Sequence, residues 1–299
     1  MSASASAAGR HAGSLQGAVA VSCGILVLEA VGGLAGNSLA LLADAGHVFA
    51  DLSGLVLALA AVRLAARPRT DERTFGLYRL EILAAGANAL LLLGIAAFVL
   101  FEAVRRFAAP PDVQPVLVSV VALTAIVANL VSVRLLRHGQ RESLTVRAAY
   151  LEVLGDLLGS AAVLAAGLVV LATGWRQADA VASIVVAVLI VPRTVTLLRD
   201  SLDILLEGTP KGVDMDHVRR HILEAPGVTE VHDLHAWTIT SGMHVVSAHV
   251  VLAPDGNPGD VLDHLGRCLA DDFDIKHSTF QLETPEHVLW EGRQAHVQH

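Results

Sequence analysis

The stretch LALLADAGHVFADLSGLVLALAAV, residues 39–62, holds only three ionisable side chains, Asp44, His47 and Asp51. About 20 apolar residues in a helix cross the roughly 30 Å of bilayer hydrocarbon, so this run reads as a membrane-crossing helix. Five comparable runs lie near 15–35, 80–104, 113–136, 148–172 and 178–198. Six crossing helices follow. Burial inside a large soluble protein does not account for them, because no polar amphipathic segments remain to cover them. The first run is also too long for the core of a signal peptide.

Composition agrees with this reading. Of 299 residues, 54% are hydrophobic, 4% aromatic and only 17% charged, against about 25% charged in ordinary soluble domains. That excludes a typical cytosolic enzyme and a disordered polypeptide. Cys23 and Cys268 sit in unlike surroundings, which offers no disulfide framework or Cys-rich metal knuckle. The net charge of −8 argues against a nucleic-acid partner, which calls for a basic footprint.

The chain divides sharply. Residues 1–208 hold 15 basic and 15 acidic side chains, whereas residues 209–299 hold 6 and 14. Histidine follows the same split, with 3 of 14 before residue 209. The expected organisation is a disordered segment over 1–14, a membrane domain over 15–208, a second domain over 209–285 and a tail over 286–299. Arginine and lysine gather on one set of connecting segments, 12 against 3 on the other. By the positive-inside rule, both termini then face the cytoplasm.

After Pro210 the pattern becomes that of a small α+β domain. Residues 213–225 read as a helix with Asp214 as N-cap and Pro226-Gly227 as terminator. Residues 228–240 and 244–252 alternate like paired strands around a turn at Ser241-Gly242. A second helix over 259–271 and a third strand over 276–283 complete an αββαβ order. The fold class expected is a six-helix transmembrane bundle, all-α, plus a cytoplasmic αββαβ sandwich of ferredoxin or metallochaperone type.

Ionisable residues inside the bilayer mark function, because each costs at least a few kcal/mol at its centre. His47 and Asp51 stand four apart in the second run, and Glu152 and Asp156 repeat that spacing in the fifth. Residues four apart share a helix face. Two facing helices would thus converge on a four-ligand site of one imidazole and three carboxylates, suited to a divalent transition metal. Metal and protons would compete for the same donors, which is the requirement for coupling a metal to a proton gradient. Asp44, one turn before His47, is expected to orient the imidazole. Glu29, Asn88 and Asn129 are expected to hydrogen-bond within the bundle, and Gly32 and Gly36 to permit close helix contact. Arg79 and Glu207 are expected to pair.

The run 36–51, GNSLALLADAGHVFAD, resembles the second-helix signature of the cation diffusion facilitator family. So do FGLYRLEILAA at 75–85, ESLTVRAA at 142–149 and LLEGTP at 205–210, while VHDLHAWTITSG at 231–242 is similar to the family's cytoplasmic domain. The resemblance runs from about Leu15 to Glu283. It implies a homodimeric, proton-coupled exporter of zinc in the inner membrane, with cadmium and cobalt as further substrates, and no prosthetic group or enzymatic activity. It also implies regulatory metal on the cytoplasmic domain, for which His232, His249, Glu283, His235 and His277 are the candidates.

Three departures bear on substrate. Glu152 stands where the zinc-exporting branch carries His; an oxygen donor hardens the site and keeps a manganese or iron exporter open. The segment 70–78 has no histidine, where relatives often carry some, and 137–142, with His138 alone, lacks the His-rich tract that some relatives possess. A membrane metal sensor that signals without transport is the reading from another class.

Overall fold

The computed structural model describes residues 12–141 and 144–287. The expected disorder before residue 12, Glu142-Ser143 and the tail from residue 288 lie outside the described residues. Six long apolar helices are present: α1 (Ala12–Gly36), α2 (Leu39–Ala65), α3 (Leu80–Ala108), α4 (Pro115–Leu136), α5 (Leu144–Thr173) and α6 (Gln177–Leu205). Each is long and apolar enough to cross a membrane.

The chain forms two compact units. One takes the chain up to Ala60 together with Ala84–Leu198; the other takes Ala61–Leu83 together with the chain from Arg199 on.

In the first unit, small side chains make up much of the interior and many large ones face outward. Ala40, Leu41, Val118, Val121, Ala122, Val163 and Ala166 pack α2, α4 and α5 together, while Val27, Leu34, Phe98, Phe101, Leu123 and Leu158 are exposed. Hydrocarbon solvates Phe and Leu as well as a protein interior does, so helices in lipid associate through small residues that let them approach closely. Gly32 shows this directly: a Cβ there would lie 2.7 Å from Val121 Cγ2. Its GxxxG partner Gly36 likewise abuts Val118.

The α1–α2 turn is closed by polar groups. Asn37 adopts a left-handed conformation with φ 52°, which Asn tolerates better than other non-glycine residues. Ser38 Oγ donates to Asp179 Oδ1 at 2.5 Å, and Leu39 N–H donates to Asp179 Oδ2 at 2.8 Å. A carboxylate borrowed from the first turn of α6 therefore satisfies the N-terminus of α2, where its charge also suits the helix dipole.

The second unit contains α7 (Met215–Leu223), β1 (Val228–Thr240), β2 (Met243–Leu252), α8 (Pro258–Phe273) and β3 (His277–Glu283). The αββαβ order is as expected. Asp214 caps α7 by accepting from the Asp216 and His217 amides. The sheet order is β1-β2-β3, with β1 and β2 antiparallel and β2 and β3 parallel. Parallel neighbours need a crossover connection, and α8 supplies it. Val218, Ile222, Leu265, Leu269 and Ile275 pack with Val246 and Val250 in one core.

This unit also gathers the segment between α2 and α3. Glu81 accepts hydrogen bonds from Thr240 Oγ1 at 2.6 Å and Ser241 Oγ at 2.8 Å. Arg79 Nη2 lies 2.8 Å from Glu207 Oε1, the pairing expected of those two residues.

Candidate metal centres

Two groups of ligand-type side chains occur among the described residues, one in each unit. In the first, His47, Asp51 and Asp156 place one ligand atom each within 4.8 Å of one another. His47 Nε2 is 3.4 Å from Asp51 Oδ2 and 3.6 Å from Asp156 Oδ1. Donors held tetrahedrally about 2.1 Å from one ion stand roughly 3.4 Å apart. The spacing therefore fits a single small divalent cation.

Local sequence explains half of this arrangement. His47 and Asp51 share a face of α2 by helical repeat. Asp156 comes from α5, whose sense is opposite to that of α2 in an alternating bundle. His47 then meets Asp156, and one turn along Asp51 comes close to Glu152.

Glu152 departs from the four-ligand expectation. Its carboxylate is not within the compact group of three; Oε2 instead lies 3.3 Å from Arg193 Nη2 on α6. Arg193 lies outside every motif and couple named from the sequence above. A guanidinium in an apolar run requires a counter-charge, so the signal was present, but its partner lies 41 positions away and helix periodicity says nothing about it.

A second buried polar group adjoins this one. Ser160 Oγ donates to Asp44 Oδ2 at 3.1 Å, and the fully buried Glu29 lies beside both. Asp44 therefore does not orient His47 as expected: His47 Nδ1 is buried with no hydrogen-bond partner among the described residues. Gly159 on α5 leaves room for Asp44, whose Oδ1 lies 2.6 Å from where a Cβ would stand.

The other group lies on the sheet. His232 and His249 are directly paired across β1 and β2, their rings 5.2 Å apart. Glu283, at the end of β3 and with no exposed side-chain surface, reaches both: Oε1 is 2.8 Å from His249 Nδ1 and Oε2 is 3.4 Å from His232 Nε2. A β-bulge between His232 and His235, with Asp233 at φ 48°, separates the next histidine from them; bulges re-aim side chains in this way. His235 is thus exposed and pairs with Asp233 at 3.0 Å. His277, at the far end of β3, stands edge-on to Phe75. Of the five histidine and glutamate candidates, three converge and His235 and His277 do not.

A buried carboxylate facing two imidazoles is a donor set that suits a divalent transition cation. Elsewhere in this unit, burial and the nearby Asp272 push the Cys268 thiol above its ordinary value.

Comparison with known proteins follows the same division. Residues 15–206 match the family described as the cation efflux transmembrane domain, and residues 210–285 match the cation efflux protein cytoplasmic domain. The metal cation efflux system protein CzcD of Cupriavidus metallidurans is 46% identical over 90% of this chain and 86% of its own. The zinc transporter ZitB of Escherichia coli strain K12 is 40% identical over 94% and 92%. A cadmium, cobalt and zinc/H(+)-K(+) antiporter of Bacillus subtilis strain 168 is 37% identical over 88% and 86%. A solved structure, the metal-bound C-terminal domain of the CzcD transporter, is 47% identical, covers 24% of this chain and 99% of its own, and has a TM-score of 0.23.

Proposed function

The chain belongs to the cation diffusion facilitator family of metal cation efflux proteins, and from that premise we propose that it exports divalent transition-metal cations, zinc first, in exchange for protons. The observation that carries this reading is the His47–Asp51–Asp156 group, whose atoms lie within 4.8 Å on two membrane-crossing helices. Ionisable residues on such helices are costly and mark ion pathways. Relatives named as a zinc transporter and as a cadmium, cobalt and zinc antiporter support zinc, with cadmium and cobalt as further substrates.

In this reading the site takes a metal ion from the cytoplasm, and helix rocking turns it to the opposite side. There, protons occupy His47 and a carboxylate, and the ion leaves. One donor set cannot hold both at full affinity, and with reorientation confined to the metal-loaded and protonated forms this competition couples the two fluxes. The protein acts as a homodimer in the inner membrane, both termini cytoplasmic. His232, His249 and Glu283 would bind a regulatory metal ion on the cytoplasmic domain; His235 and His277 would take no part.

The test uses proteoliposomes loaded with a pH-sensitive dye and presented with zinc, cadmium, cobalt, manganese and iron in turn. Asp51→Ala and Asp156→Ala are expected to abolish metal-dependent proton flux while the purified proteins remain folded. Wild-type flux in both variants refutes the site. Metal binding without any proton flux in the unmutated protein favours a sensor instead.

A further inference from the structure

Arg193 sits directly after Pro192 in α6, five residues short of the end of the apolar run at 198. At 1.5 Å per residue that is about 7–8 Å inside the run's polar end. A guanidinium this far inside an apolar run either reaches the interface or pairs with a carboxylate; the Arg193 side chain, 68% exposed, takes the second course. Its partner is Glu152 at 3.3 Å, the residue expected to be the fourth ligand of the transport site. Glu152 also lies beside Asp51, at the edge of the three-ligand group. The same carboxylate therefore stands between two claimants: an internal cation that never leaves and an external one that must.

We propose that Arg193 is a positioning residue that withholds Glu152 from the site until a divalent ion displaces the guanidinium. Electrostatics favours this exchange for a doubly charged ion. A divalent ion brings two positive charges to the carboxylates of Asp51, Asp156 and Glu152, where the guanidinium brings one and reaches Glu152 alone. A monovalent ion leaves the charge uncancelled and competes poorly with a guanidinium already in place. Release benefits too, because Arg193 recaptures Glu152 as the ion departs and a four-ligand trap does not persist. Arg193 thus lowers equilibrium affinity and raises turnover. This rests on the transport-site reading above.

The test uses purified full-length protein, zinc as the probe, calorimetric binding and proteoliposome flux. The membrane site is identified as the binding component lost in Asp156→Asn. Arg193→Gln is expected to tighten that component about tenfold and to lower both KM and kcat for zinc flux. Arg193→Lys, which keeps a cation, is expected to restore values near the wild type. Glu152→Gln is expected to weaken binding, and adding Arg193→Gln to it is expected to change nothing further. The inference is overturned if Arg193→Gln leaves affinity unchanged, or if the tightening persists undiminished in the Glu152→Gln background, which marks a long-range charge effect. An Asp156→Asn protein that loses no binding component removes the transport-site reading itself.

Discussion

Gly159 offers a test of how the two site-bearing helices are spaced. A Cβ at this position of α5 would lie 2.6 Å from Asp44 Oδ1 and 3.3 Å from its Cγ. Carbon and oxygen do not approach so closely, so Gly159→Ala must shift Asp44 or part α2 from α5 by roughly half an ångström. Asp44 is fully buried and held by Ser160, which leaves little room for the side chain alone to yield. Overpacking of this kind costs about 1–3 kcal/mol. Because His47 on α2 and Asp156 on α5 are already 3.6 Å apart, further separation stretches the ligand set. Zinc KM is expected to rise about tenfold, in line with the sensitivity of positioned groups to sub-ångström displacement. The matched control is Gly155→Ala on the same helix, where a Cβ meets nothing within 4 Å; there KM stays at the wild-type value and helix propensity improves. Thermal stability in detergent and zinc flux in proteoliposomes, measured on both variants, provide the assay. Indistinguishable behaviour of the two alanine variants refutes the packing argument.

Three further expectations follow. Glu152→His supplies a nitrogen donor that does not pair with Arg193, so competition flux assays should shift toward zinc and away from manganese and iron; an unchanged metal order contradicts this. Glu283→Gln keeps the size of the buried side chain but removes the charge that faces His232 and His249. Zinc binding outside the membrane site should fall by about tenfold or more, while Asp156-dependent flux survives at saturating zinc; undiminished binding excludes this trio as a metal centre. Burial raises the Cys268 thiol, so less thiolate is present at any given pH near neutrality. Its alkylation should be slower than that of a free cysteine at pH 8 and should accelerate as pH rises; a rate equal to the free thiol contradicts the shift.

Much of this molecule can be read along the chain because the relevant physics is local. Twenty apolar residues span a bilayer whatever their neighbours do, and the αββαβ order follows from periodicity and caps such as Asp214. The i,i+4 spacing put His47 beside Asp51 for the same reason. Contacts across the bundle obey other constraints. Asp179 reaching the start of α2 and Asp44 turning to Ser160 both depend on how helices approach, which small residues such as Gly159 permit.

The two candidate centres divide along this line. The residue types and their spacing were written into the one-dimensional order: a His–Asp couple, a Glu–Asp couple and a set of histidines on alternating strands. Tertiary packing chose among them. It set His47 against Asp156, gave Glu152 to Arg193, and used a one-residue irregularity in β1 to keep His232 and turn His235 away. Periodicity determines which side chains share a face, but only the packed neighbour determines which of them meets a counter-charge.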